Sequence, residues 1–88
     1  MIQIFIQNDD GAHDLFATVT DLNTNPASTV LNNQRINRGN QVPVNVQEDG
    51  NGNSLVNVHA VSADDSTVQK DFNNQVTQAN GVIAVDVF

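Results

Sequence analysis

The stretch QVPVNVQEDGNGNSLVNVHAVS, residues 41–62, decides how this chain folds. Its first part, 41–47, alternates valine with polar residues or proline. Because successive side chains of a β-strand point to opposite faces, the alternation predicts a strand with its valines in the core. Residues 48–53 contain only Glu, Asp, Gly and Asn, which favours a turn. The alternation resumes over 54–62 and predicts a second strand.

Pro43 places the first of these strands within its sheet. Proline has no backbone N–H and cannot donate to a ladder of inter-strand hydrogen bonds. We therefore expect an edge strand, or a strand in which Pro43 faces away from its neighbour.

The same pattern recurs on both sides of this stretch. Alternating segments cover 1–7, 15–22, 82–88 and, more weakly, 29–36, and clusters of Asn, Asp, Gly and Ser separate them. About seven strands fit at this spacing. The sequence therefore predicts an all-β fold: a small antiparallel β-sandwich, immunoglobulin-like or related, that occupies residues 1–88 as a single domain.

Residues 64–81 admit two interpretations. The first is a helix near residues 66–79, which would make the fold α+β; Ser66 and Gln69 have the spacing of a capping box, and four apolar residues form one stripe. The second is a strand, which we favour because Val, Thr and Asn are poor helix formers. Asn80-Gly81 would then form a type I′ hairpin turn that pairs 82–88 with the segment ending near Ala79.

The last strand also has a predicted orientation. Asp86 shares a face with the residues at 82 and 84, and a carboxylate needs water or a partner. We therefore expect Ile83, Val85 and Val87 to face the core.

The composition restricts the choice of partners. The net charge is −7, from nine Asp and one Glu against two Arg and one Lys. An acidic surface repels phosphate, so we expect no nucleic acid and no membrane partner, while cations and basic partners are favoured. There is no cysteine, which excludes disulfides and thiolate metal sites. No apolar run reaches membrane-spanning length, and no basic segment of a signal peptide precedes the first strand, so the localisation stays open.

Two acidic turns are candidate metal sites. The first contains Asp9 and Asp10, and the second contains Asp49, Asn51 and Asn53. Carboxylate and amide oxygens are the ligands that calcium prefers, and calcium is the one cofactor we consider. An EF-hand is excluded because Ser54 and Ala60 replace the Gly and Glu that its loop requires. We expect hydrated turns, or a looser calcium site where two acidic turns meet at the same end of the sandwich.

Catalysis has little support in the sequence. His13 lies next to Asp14, and His59 is predicted on the outer face of its strand. No nucleophile motif surrounds Ser62 or Ser66. We therefore expect two unrelated surface histidines and a protein that is not an enzyme.

These observations predict a non-enzymatic binding or assembly module, with a protein partner or with self-association into a homo-oligomer through an edge strand. The alternative is a calcium-assisted, lectin-like protein that binds carbohydrate through its acidic inter-strand turns, since Asp, Asn and Gln suit sugar hydroxyls.

Overall fold

The computed structural model describes residues 1–87, which form a sandwich of two β-sheets without a helix. Its strands are β1 (Ile2–Asn8), β2 (Leu15–Asp21), β3 (Ser28–Ile36), β4 (Gln41–Val46), β5 (Val56–Ser62), β6 (Gln69–Gln75) and β7 (Val82–Val85). One sheet has the order β4-β1-β7 and the other β3-β2-β5-β6. The predicted all-β sandwich of about seven strands is confirmed, and the α+β alternative is wrong.

Neighbouring strands are antiparallel except for β1 and β7, which are parallel. The two strands of the deciding stretch, β4 and β5, lie in different sheets, so the turn between them crosses the sandwich. Within residues 1–87, β4 forms an edge of the three-stranded sheet, as Pro43 predicts.

Aliphatic side chains from both sheets fill the core. They come from the inward-facing positions of every strand except β6, together with Val87: Ile4, Ile6, Leu15, Ala17, Val19, Ile36, Val44, Val46, Val56, Val58, Ala60, Ile83, Val85 and Val87. The alternation that marked the strands therefore also marked their buried faces. Phe5 and Phe16, by contrast, occupy half-buried positions on the outer faces of the two sheets.

The predicted hairpin at Asn80-Gly81 is wrong. β6 pairs with β5, whereas β7 pairs with β1 in the opposite sheet. Only Asn80 of the dipeptide has a left-handed backbone, with φ of 65°, while a type I′ turn needs two such residues. The N–H of Asn80 donates instead to the Gln3 carbonyl, at 2.7 Å, which directs the chain to β1.

The predicted orientation of the last strand is confirmed, since Ile83, Val85 and Val87 are buried. Its final predicted residue, Phe88, lies outside the described residues.

Buried polar side chains close the two ends of the sandwich. At the first end, Asn8 donates through Nδ2 to the carbonyl oxygens of His13 and Ile36. At the second end, the fully buried Asp21 accepts from the backbone N–H groups of Asn23 and Gln47. Each of these side chains joins segments distant in sequence, so the ends are fixed by tertiary hydrogen bonds.

Candidate interaction surface

The open edges of the two sheets are the first place to look for a binding surface. An edge strand presents unpaired backbone N–H and C=O groups that another strand can bind. Proteins protect such edges with proline, charged side chains, bulges or short strands. Within residues 1–87 the edge strands are β3, β4, β6 and β7.

The β4 edge is protected by Pro43. On β1, Asn8 donates its backbone N–H to the carbonyl oxygen of Asn40, so the backbone groups of the even-numbered residues of β1 and β4 hydrogen-bond to each other. The backbone groups of the odd-numbered residues of β4, Pro43 among them, therefore point to the open edge. A strand arriving there would find no donor at the centre of β4.

β3 and β6 are both irregular and charged. Each contains an asparagine with a left-handed backbone, Asn33 with φ of 51° and Asn74 with φ of 55°, and each ladder is shifted in register nearby. β3 carries Arg35, and β6 carries Lys70 next to an aspartate. A regular ladder cannot extend along either edge.

β7 has none of these irregularities. Its residues Val82–Val85 include no proline, charge or left-handed residue, although the strand has only four residues and Lys70 of β6 contacts the aspartate that follows it. The N–H groups of Phe5 and Asp9 donate to the carbonyl oxygens of Gly81 and Val85, both at 2.9 Å. The backbone groups of the odd-numbered residues of β7 therefore point to β1. The backbone groups of Val82 and Ala84 therefore point to the open side.

An uncharged surface adjoins this edge on the outer face of the three-stranded sheet. Phe5 lies in the middle, with Pro43 opposite it on β4 and Val82 opposite it on β7. Val82 is 48% exposed, which is high for a large apolar residue. Gln41, Gln7 and Ala84 form the next row, also without charge.

Charge appears only where this surface ends. Asp9 is exposed and directly follows the last pair of β1 and β7, and its backbone N–H donates to the carbonyl oxygen of Val85. Lys70 of β6 approaches Asp86 to 3.3 Å and bridges the two sheets. Asp9 lines a shallow depression together with Asp10 and Arg38.

The structure separates the two predicted metal sites. Asp9 and Asp10 lie at the first end of the sandwich, while Asp49, Asn51 and Asn53 lie at the second end, where Asn53 bridges to Gln78. They therefore cannot combine into one site. Residues 1–87 contain no group of three or more His, Cys, Asp or Glu side chains positioned to hold a metal.

Asp10 is a structural residue at the first end, with its side chain 1% exposed. Burial by itself would raise the pKa of this carboxyl. The N–H of Ala12, the Nδ1 of His13 and the N–H groups of Val87 and His13 outweigh that effect and lower the pKa to about 2. Both carboxylate oxygens already have partners in the protein.

Asp49 plays a similar local role at the second end. Its Oδ1 accepts from the N–H groups of Asn51 and Asn53, at 2.8 and 3.0 Å. Alternating Asp and Asn residues, which resemble the start of a calcium loop, here close a turn through backbone hydrogen bonds.

Each histidine pairs with an aspartate that is not its neighbour in sequence. His13 contacts Asp10 through Nδ1 at 2.9 Å, while Asp14 instead accepts from Arg35 and from the backbone N–H of Arg38. The Arg38 N–H and the Arg35 guanidinium lower the pKa of Asp14.

His59 contacts Asp71 on the neighbouring strand through Nδ1 at 2.5 Å, and Thr18 lies opposite it on β2. This pair could not be predicted from the sequence, because cross-strand neighbours depend on register. The pair lies on an exposed sheet face, and Thr18 makes its hydrogen bond with the N–H of Asn33. Ser62 is buried and accepts from the N–H of Asp64.

No protein-family model, curated protein or solved structure matches this chain. Residues 1–87 contain no helix that is long and apolar enough to cross a bilayer. The site must therefore be interpreted from its own geometry.

Proposed function

We propose that this protein is a non-enzymatic binding or assembly module that accepts an extended segment of another polypeptide on the open edge of β7. The observation that carries the proposal is the difference between the edges. β4 is blocked by Pro43, and β3 and β6 contain left-handed asparagines, whereas β7 is regular and uncharged.

Added strands gain affinity from main-chain hydrogen bonds and specificity from alternate side chains. Val82 and Ala84 supply outward-facing backbone groups for those bonds. On the outer face, the side chains of an added strand would lie beside Val82, which continues into the row of Phe5 and Pro43. Because this surface carries no charge, apolar side chains can cover it without burying a charged group.

The absence of enzyme activity is part of the proposal. The two His–Asp pairs are on separate parts of the molecule: Asp10 with His13 at the first end, and His59 with Asp71 on the outer face of the four-stranded sheet. Within residues 1–87 each histidine contacts an aspartate, while the hydroxyl oxygens of Thr18 and Ser62 accept from backbone N–H groups. A nucleophile activated by a base needs a hydrogen bond to that base.

The test is a backbone NMR titration of the protein with a capped peptide of alternating threonine and valine. We expect the Val82 and Ala84 amides to shift and to become protected from hydrogen exchange. Ala84→Pro removes an outward-facing donor without removing a bond to β1, so it should abolish binding.

The matched control is Asn45→Pro, which removes an outward-facing donor from the edge that Pro43 already blocks; it should leave binding intact. Both variants must first show cooperative unfolding. The proposal is overturned when neither the peptide nor a rise in protein concentration affects the Val82 and Ala84 amides.

A further inference from the structure

The dipeptide Asn-Gly occurs twice in the chain, at 51–52 in the turn between β4 and β5 and at 80–81 in the connection between β6 and β7. Asparagine is a thermolabile residue, and a following glycine makes it more reactive. Glycine has no Cβ, so nothing hinders its backbone nitrogen from approaching the side chain of the residue before it. In an unfolded chain both asparagines are therefore open to attack by their own backbone.

The reaction needs no reagent other than water. The glycine nitrogen forms a bond to Cγ of the asparagine, and the C–N bond of the side-chain amide breaks. Ammonia leaves with the proton of the peptide nitrogen, and a cyclic succinimide remains. Water then opens the ring at either carbonyl, which yields aspartate or isoaspartate; the isoaspartate main chain is longer by one methylene.

Tertiary hydrogen bonds hold the Asn80-Gly81 peptide on both sides. The N–H of Asn80 donates to the Gln3 carbonyl at 2.7 Å, and the carbonyl of Gly81 accepts from the N–H of Phe5 at 2.9 Å. The attacking nitrogen, that of Gly81, donates its proton to the carbonyl of Gln78 at 2.9 Å. For this nitrogen to reach Cγ of Asn80, the start of β7 must separate from β1.

The Asn51-Gly52 peptide is held within its own turn instead. The N–H of Asn51 donates to Oδ1 of Asp49 at 2.8 Å, and the N–H of Gly52 donates to the carbonyl of Asp49 at 3.1 Å. Asn51 and Gly52 are exposed, and a Cβ added to Gly52 would meet nothing within 4 Å. This turn can open to water without breaking a strand, and exposed loops open at much lower free energy than core strands do.

We infer that Asn51 is a site of spontaneous deamidation in the folded protein, whereas the contacts with β1 protect Asn80 from the same reaction. The inference does not depend on the proposed function, because it concerns the turn between β4 and β5. Conversion adds one negative charge to the net charge of −7. Isoaspartate at position 51 also lengthens the main chain between Asp49 and Asn53, whose N–H donates to the same Asp49 oxygen, so the turn must rearrange.

The experiment incubates the folded protein at physiological temperature and mildly alkaline pH. Peptide mass spectrometry follows each asparagine, because an acid differs in mass from the amide it replaces. We expect Asn51 to convert at least about tenfold faster than Asn80, since only Asn80 requires strand contacts to open. In concentrated denaturant the two asparagines should convert at similar rates, because the contacts that distinguish them are gone.

A pair of variants tests the protection by β1 without altering either Asn-Gly sequence. Ile83→Ala removes a buried side chain of β7, so it should speed the conversion of Asn80 and leave the rate at Asn51 unchanged. The matched control is Val82→Ala at the half-exposed neighbouring position, which should change neither rate.

Three outcomes would overturn the inference. Equal rates at Asn51 and Asn80 in the folded protein would show that the contacts with β1 give no protection. A rate difference that persists in denaturant would show that the sequence, and not the fold, is the cause. An Asn51 that stays intact while the denatured protein reacts would show that the hydrogen bonds to Asp49 protect the turn.

Discussion

The backbone N–H of Val87 donates to the buried carboxylate of Asp10 at 3.2 Å, which joins the first turn of the chain to its last described residue. The same carboxylate accepts from Ala12 and His13. One side chain thus holds the turn after β1 and the end of β7 in place, and β7 carries the proposed binding edge.

The first prediction concerns acid stability. The pKa of Asp10 is about 2 in the folded protein and 3.8 ordinarily. Because the folded pKa is lowered, Asp10 stabilises the fold above pH 4, and this contribution is lost as the pH falls from about 4 to 2. We expect a loss of about 1–2 kcal/mol from this residue, measured by urea unfolding at a series of pH values.

Asp10→Asn should destabilise the protein at neutral pH, because its amide NH₂ cannot accept from all the donors around the carboxylate. The same variant should flatten the fall in stability between pH 4 and 2. Asp9→Asn, at the exposed neighbouring position, should keep that fall. A wild-type profile that is flat over this range would contradict the assignment.

The second prediction tests the orientation of β7. Ile83 is buried and Val82 is half exposed, although the two are adjacent in sequence. Ile83→Ala should lower the free energy of unfolding by about 2–4 kcal/mol, because it removes core contacts and leaves a cavity. Val82→Ala should cost less than about 0.5 kcal/mol. Chemical denaturation measures both, and equal losses would show that β7 does not alternate as described.

The third prediction concerns Gly81. A Cβ at this position would overlap Thr77 Oγ1 and lie 2.8 Å from the carbonyl oxygen of Gln78. Gly81→Ala should therefore destabilise the fold by about 1–3 kcal/mol through crowding. Thr77→Ala in the same chain should restore part of that loss, as a double-mutant cycle would reveal.

Gly50→Ala is the control for this cycle, since an added Cβ there meets nothing within 4 Å. Its unfolding midpoint should stay close to that of the wild type. An equal effect of the substitution at Gly50 and Gly81 would show that crowding at Thr77 is not the cause.

The fourth prediction concerns calcium. Asp49 already accepts two backbone hydrogen bonds, and it has no acidic partner from the first end of the sandwich. The melting temperature should therefore be the same in millimolar calcium and in chelator, because a ligand stabilises only a fold to which it binds. A rise in calcium that disappears in Asp49→Asn would instead identify this turn as a calcium site.

The sequence determined the strands and the buried faces of most of them. Alternation with a period of two is a local property, and the pleat turns it directly into one buried face and one exposed face. Val44 and Val46 of β4 and Ile83 and Val85 of β7 were therefore assigned to the core from sequence, and Pro43 placed β4 at an edge.

Only the tertiary structure decided which strands are neighbours. The local signal at Asn80-Gly81 favoured a hairpin, but Asn80 bonds to Gln3 and the chain crosses to the other sheet. There, Ile83 and Val85 bury their side chains beside β1. The pairing of His59 with Asp71 depends likewise on a register that no local pattern specifies.

The candidate surface followed from those same non-local contacts. The open edge exists because β7 pairs with β1 on one side only, and Asp10 became a buried structural residue because Val87 reached it. Local sequence sets the face of each strand through the geometry of the backbone. The choice of neighbouring strands is set by how the whole chain buries its aliphatic residues, and that choice left β7 at an edge of its sheet.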